Sequence, residues 1–214
     1  HSTGELLQAG GEKLGMISGA LMAVNLLMAF MTFSSAHRSR AFDERLVLDG
    51  FPLTALLAAK LTILLIASAL VSIYATVWML IYWHPVQPLL FGVGIFASAL
   101  IYGALGLFLA LFLPGELEGT WVICMTGVID LLPQNPVANP AADSNIIVLL
   151  PSYSSMQLCT SAGFTSITLL TPAIYGFVWL VGLIAVALAA FAARTRTWLK
   201  QTTQPDRTPA PAGS

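Results

Sequence analysis

The sequence predicts an all-α, polytopic membrane helix bundle, and three observations carry that reading. Hydrophobic residues make up 57% of the 214-residue chain and charged residues only 9%, with a mean hydropathy of +0.83. Soluble domains carry roughly 25% charged residues, so this chain lacks the polar surface a water-soluble globule needs. Several apolar runs approach or exceed the roughly 20 residues that cross a bilayer. Finally, the basic residues gather in two regions, as they do on the cytoplasmic side of membrane proteins.

The elements follow in order. Residues 1–13 read as an outer N-terminal segment, and residues 14–200 as the transmembrane domain. The first span covers 14–33, with Ser18 and Asn25 as its polar interruptions. Residues 36–60 form a charged loop, and the apolar stretch beyond it is too long for one untilted span. Lys60 divides it: a lysine at a helix start can snorkel to the headgroups while 61–83 crosses. The third span covers 89–113 and stops at Pro114; the fourth, 120–132, is short and closes at Pro133. The connections His84–Gln87 and Gly115–Gly119 are short, which makes spans two to four antiparallel neighbours. Residues 133–164 hold a Pro/Asn/Ala-rich turn, the apolar run Ile146–Leu150, the break at Pro151 and a polar stretch. That run is too short to span, so a re-entrant helical segment is expected there. The fifth span covers 165–193, and the Pro/Thr-rich tail 201–214 reads as disordered.

Charge sets the orientation. Arg38, Arg40, Arg45 and Lys60 flank the first loop, Arg194, Arg196, Lys200 and Arg207 follow the last span, and only Lys13 lies on the other side. The loop 36–60 and the C-terminus are therefore expected in the cytoplasm, with the N-terminus and 133–164 outside, in a bacterial inner membrane. Five visible spans with an outside N-terminus predict a sixth span upstream of His1. The net charge of −1 gives no basis for a nucleic-acid partner.

The loop 36–60 holds most of the charge: Arg38, Arg40, Asp43, Glu44, Arg45 and Asp49. Asp43 stands before Arg-Leu-Val-Leu as a helix cap would, and Gly50 with Pro52 ends that short helix. Such a helix is a docking element in form or a solvated loop that enforces topology. Asn25, in mid-span, reads as an interhelical hydrogen bond ahead of a substrate contact. Tyr74, Trp78 and Tyr102 could line a cavity with it. Asp130, near the outer end of the fourth span, reads as hydrated, and Glu116 and Glu118 as solvated loop acids. Gly15 with Gly19, and Gly103 with Gly106 and Ala110, are small-residue stripes that let helices approach, within the chain or between copies. Cys124 and Cys159 read as packing residues, with a disulfide across the outer half of the protein as the alternative. No Gly-rich nucleotide loop, metal-ligand pattern or catalytic residue is present in the sequence. The three histidines, His1, His37 and His84, lie outside the spans, and no intramembrane carboxylate pair exists, which argues against an intramembrane enzyme. A secondary transporter would show inverted repeats and intramembrane charge.

The order Asp43-Glu44-Arg45, Gly50, Pro52 and Lys60 leading into a long apolar helix resembles the permease subunits of ABC-2-type transporters. So do the later Leu-Pro breaks at Pro133 and Pro151 and the basic end of the last span. The resemblance implies that Asp43, Glu44, Arg45, Asp49 and Gly50 belong to a coupling helix seated on a separate cytoplasmic ATP-binding cassette subunit. ATP and Mg would be held by that partner and no cofactor by this chain. It further implies a second permease copy or paralogue, re-entrant helices over 133–164, and export of a drug, lipid, glycolipid or peptide. The chain departs from the family's pattern in lacking the amphipathic N-terminal helix and first span. A non-transporting sensor or immunity subunit of the same fold is an alternative.

Overall fold

The computed structural model describes residues 2–134, 147–165, 174–186 and 189. Among the described residues the chain is helical, without strands. The helices are α1 (Ser2–Leu48), α2 (Leu53–Tyr82), α3 (Pro88–Phe112), α4 (Glu116–Leu131), α5 (Tyr153–Phe164) and α6 (Ile174–Val186), with a 3-10 turn at Ile147–Leu149. Three of these are long and apolar enough to cross a membrane: α1 over Gly10–Leu48, α2 over Thr54–Tyr82 and α3 over Pro88–Phe112. At 16 residues, α4 is shorter than a full crossing.

The first correction concerns α1. Residues 2–13 are not a separate segment, and 36–48 are not a loop with its own capped helix; both belong to one helix of 47 residues. At 1.5 Å per residue it is about 70 Å long. The stretch Phe33–Leu48 contains neither Gly nor Pro, so nothing in it breaks the hydrogen-bond ladder. Its true end is where the sequence placed it. Gly50 has φ 88°, the left-handed conformation that only glycine adopts without strain. The Phe51 N–H reaches the Leu46 carbonyl at 2.9 Å and the Gly50 N–H the Val47 carbonyl at 3.1 Å, so the orphan carbonyls of the last turn are satisfied. Pro52 then sets the extended entrance to α2.

The centre of the bundle is α3, which packs on α1, α2 and α5. Its close approach to α1 depends on Gly106: a Cβ there would lie 2.3 Å from the Ala29 carbonyl oxygen. Gly103 likewise faces Leu64 of α2 and Met28 of α1. The stripe in α3 is therefore an intramolecular seam, whereas Gly15 and Gly19 of α1 face open space. Ile17, Leu21, Met28 and Phe33 of α1 and Phe91, Ile95, Ala99 and Tyr102 of α3 make the core.

The outside of the bundle is as apolar as its inside. Ile63, Ile66, Leu70, Ile73, Val77 and Ile81 all stand exposed along α2. Such a continuous surface is unfavourable in water and suited to lipid. The two ends differ in charge. Arg38, Arg40 and Lys60 are at one end, while Lys13 lies over the Trp83 ring, 5.6 Å from its centroid, at the other. Both cysteines are free; Cys159 is buried, but Cys124 is exposed on α4 rather than packed. The second half of the predicted basic asymmetry, Arg194 to Arg207, and the tail 201–214 lie outside the described residues.

Candidate functional site

The charged end is built on the last turns of α1. The Ser34 hydroxyl donates to Glu116 Oε1 at 2.8 Å, and the Arg38 guanidinium to the same oxygen at 3.3 Å. Glu116 opens α4, where a carboxylate also meets the favourable end of the helix dipole. The Ser34 hydroxyl, then Arg38, hold its carboxyl below the usual glutamate range. Glu116 is thus a bridge between α1 and α4, not a free loop acid. Arg40 donates to the carbonyls of Ala110 and Leu111, the latter at 3.3 Å, at the C-terminal end of α3. Carbonyls of a last turn lack partners within their own helix, and a cation is favoured there.

Asp43 sits inside α1, buried, and its carboxylate meets Lys60 Nζ of α2 at 2.6 Å. Ser39 completes the triangle, donating to Asp43 Oδ2 at 3.1 Å and accepting from Lys60 at 2.9 Å. This corrects two expectations. Asp43 does not cap a helix, because its carboxylate is spent on a cation across the α1–α2 interface. Lys60 does not snorkel outward, because its ammonium is neutralised internally. Above the pair lies a cleft of about 290 Å³ between α1 and α2, walled by Met28, Met31, Ile63 and Leu64, with Ser39, Asp43 and Lys60 at its charged end.

The tip of α1 lies past Asp43. Among the described residues, Glu44, Arg45 and Asp49 have no ion pair. Three large apolar residues stand exposed beside them: Phe42, Leu48 and Phe51. Apolar and charged side chains are thus exposed together at this end. Sequence reasoning reached its charged members and missed the apolar ones. The signal was present, since Phe42 and Phe51 are large aromatics inside an otherwise charged stretch.

The other proposed residues lie at different depths in the bundle. Asn25 is fully buried, and its Oδ1 accepts from the Ser98 hydroxyl of α3 at 2.5 Å, the interhelical bond expected of it. Tyr102 is buried and donates to the Asp130 carboxylate. Tyr74, by contrast, is 66% exposed and stands with Trp78 and Tyr82 as an aromatic ladder on the outer face of α2. Asp130 is 1% exposed, so it is not a hydrated interfacial acid. Because α4 is short, its end lies against the side of α3, and Asp130 meets Tyr102 there instead of solvent. Pro133 follows the end of α4, and Pro151 lies in the turn before α5. No group of metal-ligating side chains is assembled among the described residues.

Among the described residues the chain is an all-helical bundle with three membrane-length helices and one charged end. Comparison with protein-family models, with curated proteins and with solved structures finds no match.

Proposed function

We propose that the chain is the transmembrane permease subunit of an ABC-2-type exporter, energised by a separate cytoplasmic ATPase. The observation that carries this reading is the tip of α1, where Glu44, Arg45 and Asp49 stand without ion-pair partners among the described residues, around exposed Phe42, Leu48 and Phe51. In this reading the tip is cytoplasmic, ATP and Mg sit on the partner, and a second copy or paralogue completes the translocator in a bacterial inner membrane. Five crossings and a re-entrant outer segment complete the bundle in this reading; residues 135–146 of that segment and 166–173 of the fifth span lie outside the described residues. The substrate is hydrophobic or amphipathic, in keeping with an apolar cleft that ends in a charged pair.

The continuity of α1 gives the coupling a mechanical form. The tip has no hinge between Phe33 and Leu48, so a pull on Glu44 and Arg45 tilts α1 as a rod. Lys60, Arg40 and Glu116 pass that tilt to α2, α3 and α4 respectively. Charge-neutral substitution of the tip tests this: in Glu44→Ala/Arg45→Ala, the ATPase of the reconstituted complex keeps turning over while transport falls at least about tenfold, the loss expected when roughly 1.4 kcal/mol of coupling is removed. Unaltered transport in that variant excludes the assignment of the tip.

A further inference from the structure

Helix α5 is seated against α3 and α1 at the end of the bundle opposite the charged tip, on a buried face made largely of small and polar side chains. Among its buried residues only Met156 and Leu158 are large and apolar; the rest are Ser, Cys, Ala and Gly. The buried hydroxyls of Ser154 and Ser155 have no hydrogen-bond partner among the described residues, and neither has Gln134 Oε1 beside them in the chain's path to α5. A buried polar group without a partner carries a desolvation cost, so these groups weaken the seat of α5.

Ring contacts of Phe164 with Trp83 and of Tyr153 with Tyr175 of α6 flank α5, and polar contacts at its two ends fix its position. At its C-terminal end, the Gln87 N–H donates to the Ala162 carbonyl at 2.9 Å and the Gln87 side chain to the Thr165 carbonyl at 2.9 Å. At its N-terminal end, Ser152 provides no side-chain cap of its own. Asp130 of α4 supplies one from outside: its Oδ2 accepts from the Ser152 N–H at 3.1 Å and from the Tyr102 hydroxyl. Gln134 donates to Asp130 Oδ1 at 3.0 Å and to Ser152 Oγ at 2.9 Å, closing the cluster. An anion at a helix N-terminus also gains from the helix dipole.

We propose that α5 is a removable plug and that the Asp130 carboxylate is the pin that holds it. Withdrawing the pin leaves a helix with unpartnered buried serines, so α5 loosens from α3, and from Gly176 of α6 against Ser154, while the α1–α3 seam stays shut. This goes beyond the transport reading and stands or falls independently of it, because it is read by the exposure of one thiol. Cys159 sits at 0% exposure on α5, against the Phe91 carbonyl of α3.

The experiment uses the full chain in membranes with the exposed thiol removed (Cys124→Ser) and follows the rate at which a small water-soluble maleimide labels Cys159. Asp130→Asn is expected to raise that rate by about tenfold or more, as loss of a charged acceptor shifts a local opening equilibrium. Tyr102→Phe, which keeps the carboxylate and loses one donor, gives a smaller rise. Ser155→Ala works in the opposite direction: removing an unpartnered hydroxyl steadies the seat and slows labelling. A thiol placed in the α1–α3 core by Leu21→Cys, with Cys159 removed, stays unlabelled when combined with Asp130→Asn. The proposal is overturned if Cys159 keeps its parental rate in both Asp130→Asn and Tyr102→Phe. It is equally overturned if the Leu21 position opens in parallel, which would make Asp130 a support of the whole fold.

Discussion

Replacing Gly106 by leucine will separate α1 from α3 and leave the purified chain aggregated or melting far below the parent. A Cβ alone at this position would lie 2.2 Å from Thr32 Oγ1 and 2.3 Å from the Ala29 carbonyl oxygen. The hydroxyl can rotate, but the carbonyl is backbone in mid-helix and cannot. Thr32 is in addition held by its own bond to the Met28 carbonyl at 2.8 Å. The side chain therefore forces the two helices apart along the seam that carries most of the core, at a cost of about 3 kcal/mol or more. The matched control is Gly15→Leu, since a Cβ at that position meets nothing within 4 Å; the isolated chain should melt as the parent does. Thermal unfolding in detergent, followed by monodispersity, checks both. A leucine at 106 that melts like the parent would mean that α1 and α3 do not pack as described.

The second large effect lies at the charged end. Lys60→Ala leaves the Asp43 carboxylate, whose side chain is 9% exposed, without its cation. Removing one partner of a buried pair costs about 3–5 kcal/mol, and the lower figure applies because the lysine side chain keeps some exposure. Removing both partners is far milder, since neither charge is then stranded. The double variant Asp43→Ala/Lys60→Ala should recover most of the loss, and the cycle of four proteins isolates the coupling. Equal melting of the single and double variants would show that the pair contributes no coupling. Neither change touches Glu44 or Arg45, so the pair can be separated from the role proposed for the tip.

Much of the fold was legible because it depends on local pattern. The third span was expected over 89–113 and α3 runs Pro88–Phe112, bounded by proline at its first position and by Pro114 beyond. The end of α1 was legible for the same reason, as Gly50 and Pro52 act within one turn. What sequence left out depends on depth and on distant partners. Asp43 looked like a cap because its local neighbours fit one; its actual partner, Lys60, is on the next helix and no local spacing reveals it. Asp130 looked interfacial because it stands near a span's end, but α4 stops beside α3, so proximity to a helix terminus did not mean proximity to water. The charged tip was half legible: charge marked Glu44, Arg45 and Asp49, while Phe42, Leu48 and Phe51 passed as ordinary members of a hydrophobic chain. Their significance rests on exposure at a charged end, which composition does not convey.

The central claim is that the tip of α1 seats an ATPase, and native co-purification tests it most directly. The affinity-tagged chain, extracted from its own membranes in mild detergent, should bring down a stoichiometric polypeptide bearing a phosphate-binding loop, and Phe42→Ala/Arg45→Ala should lose it while the bundle stays folded. A folded chain that emerges with no ATP-hydrolysing partner, before and after that substitution alike, contradicts the account.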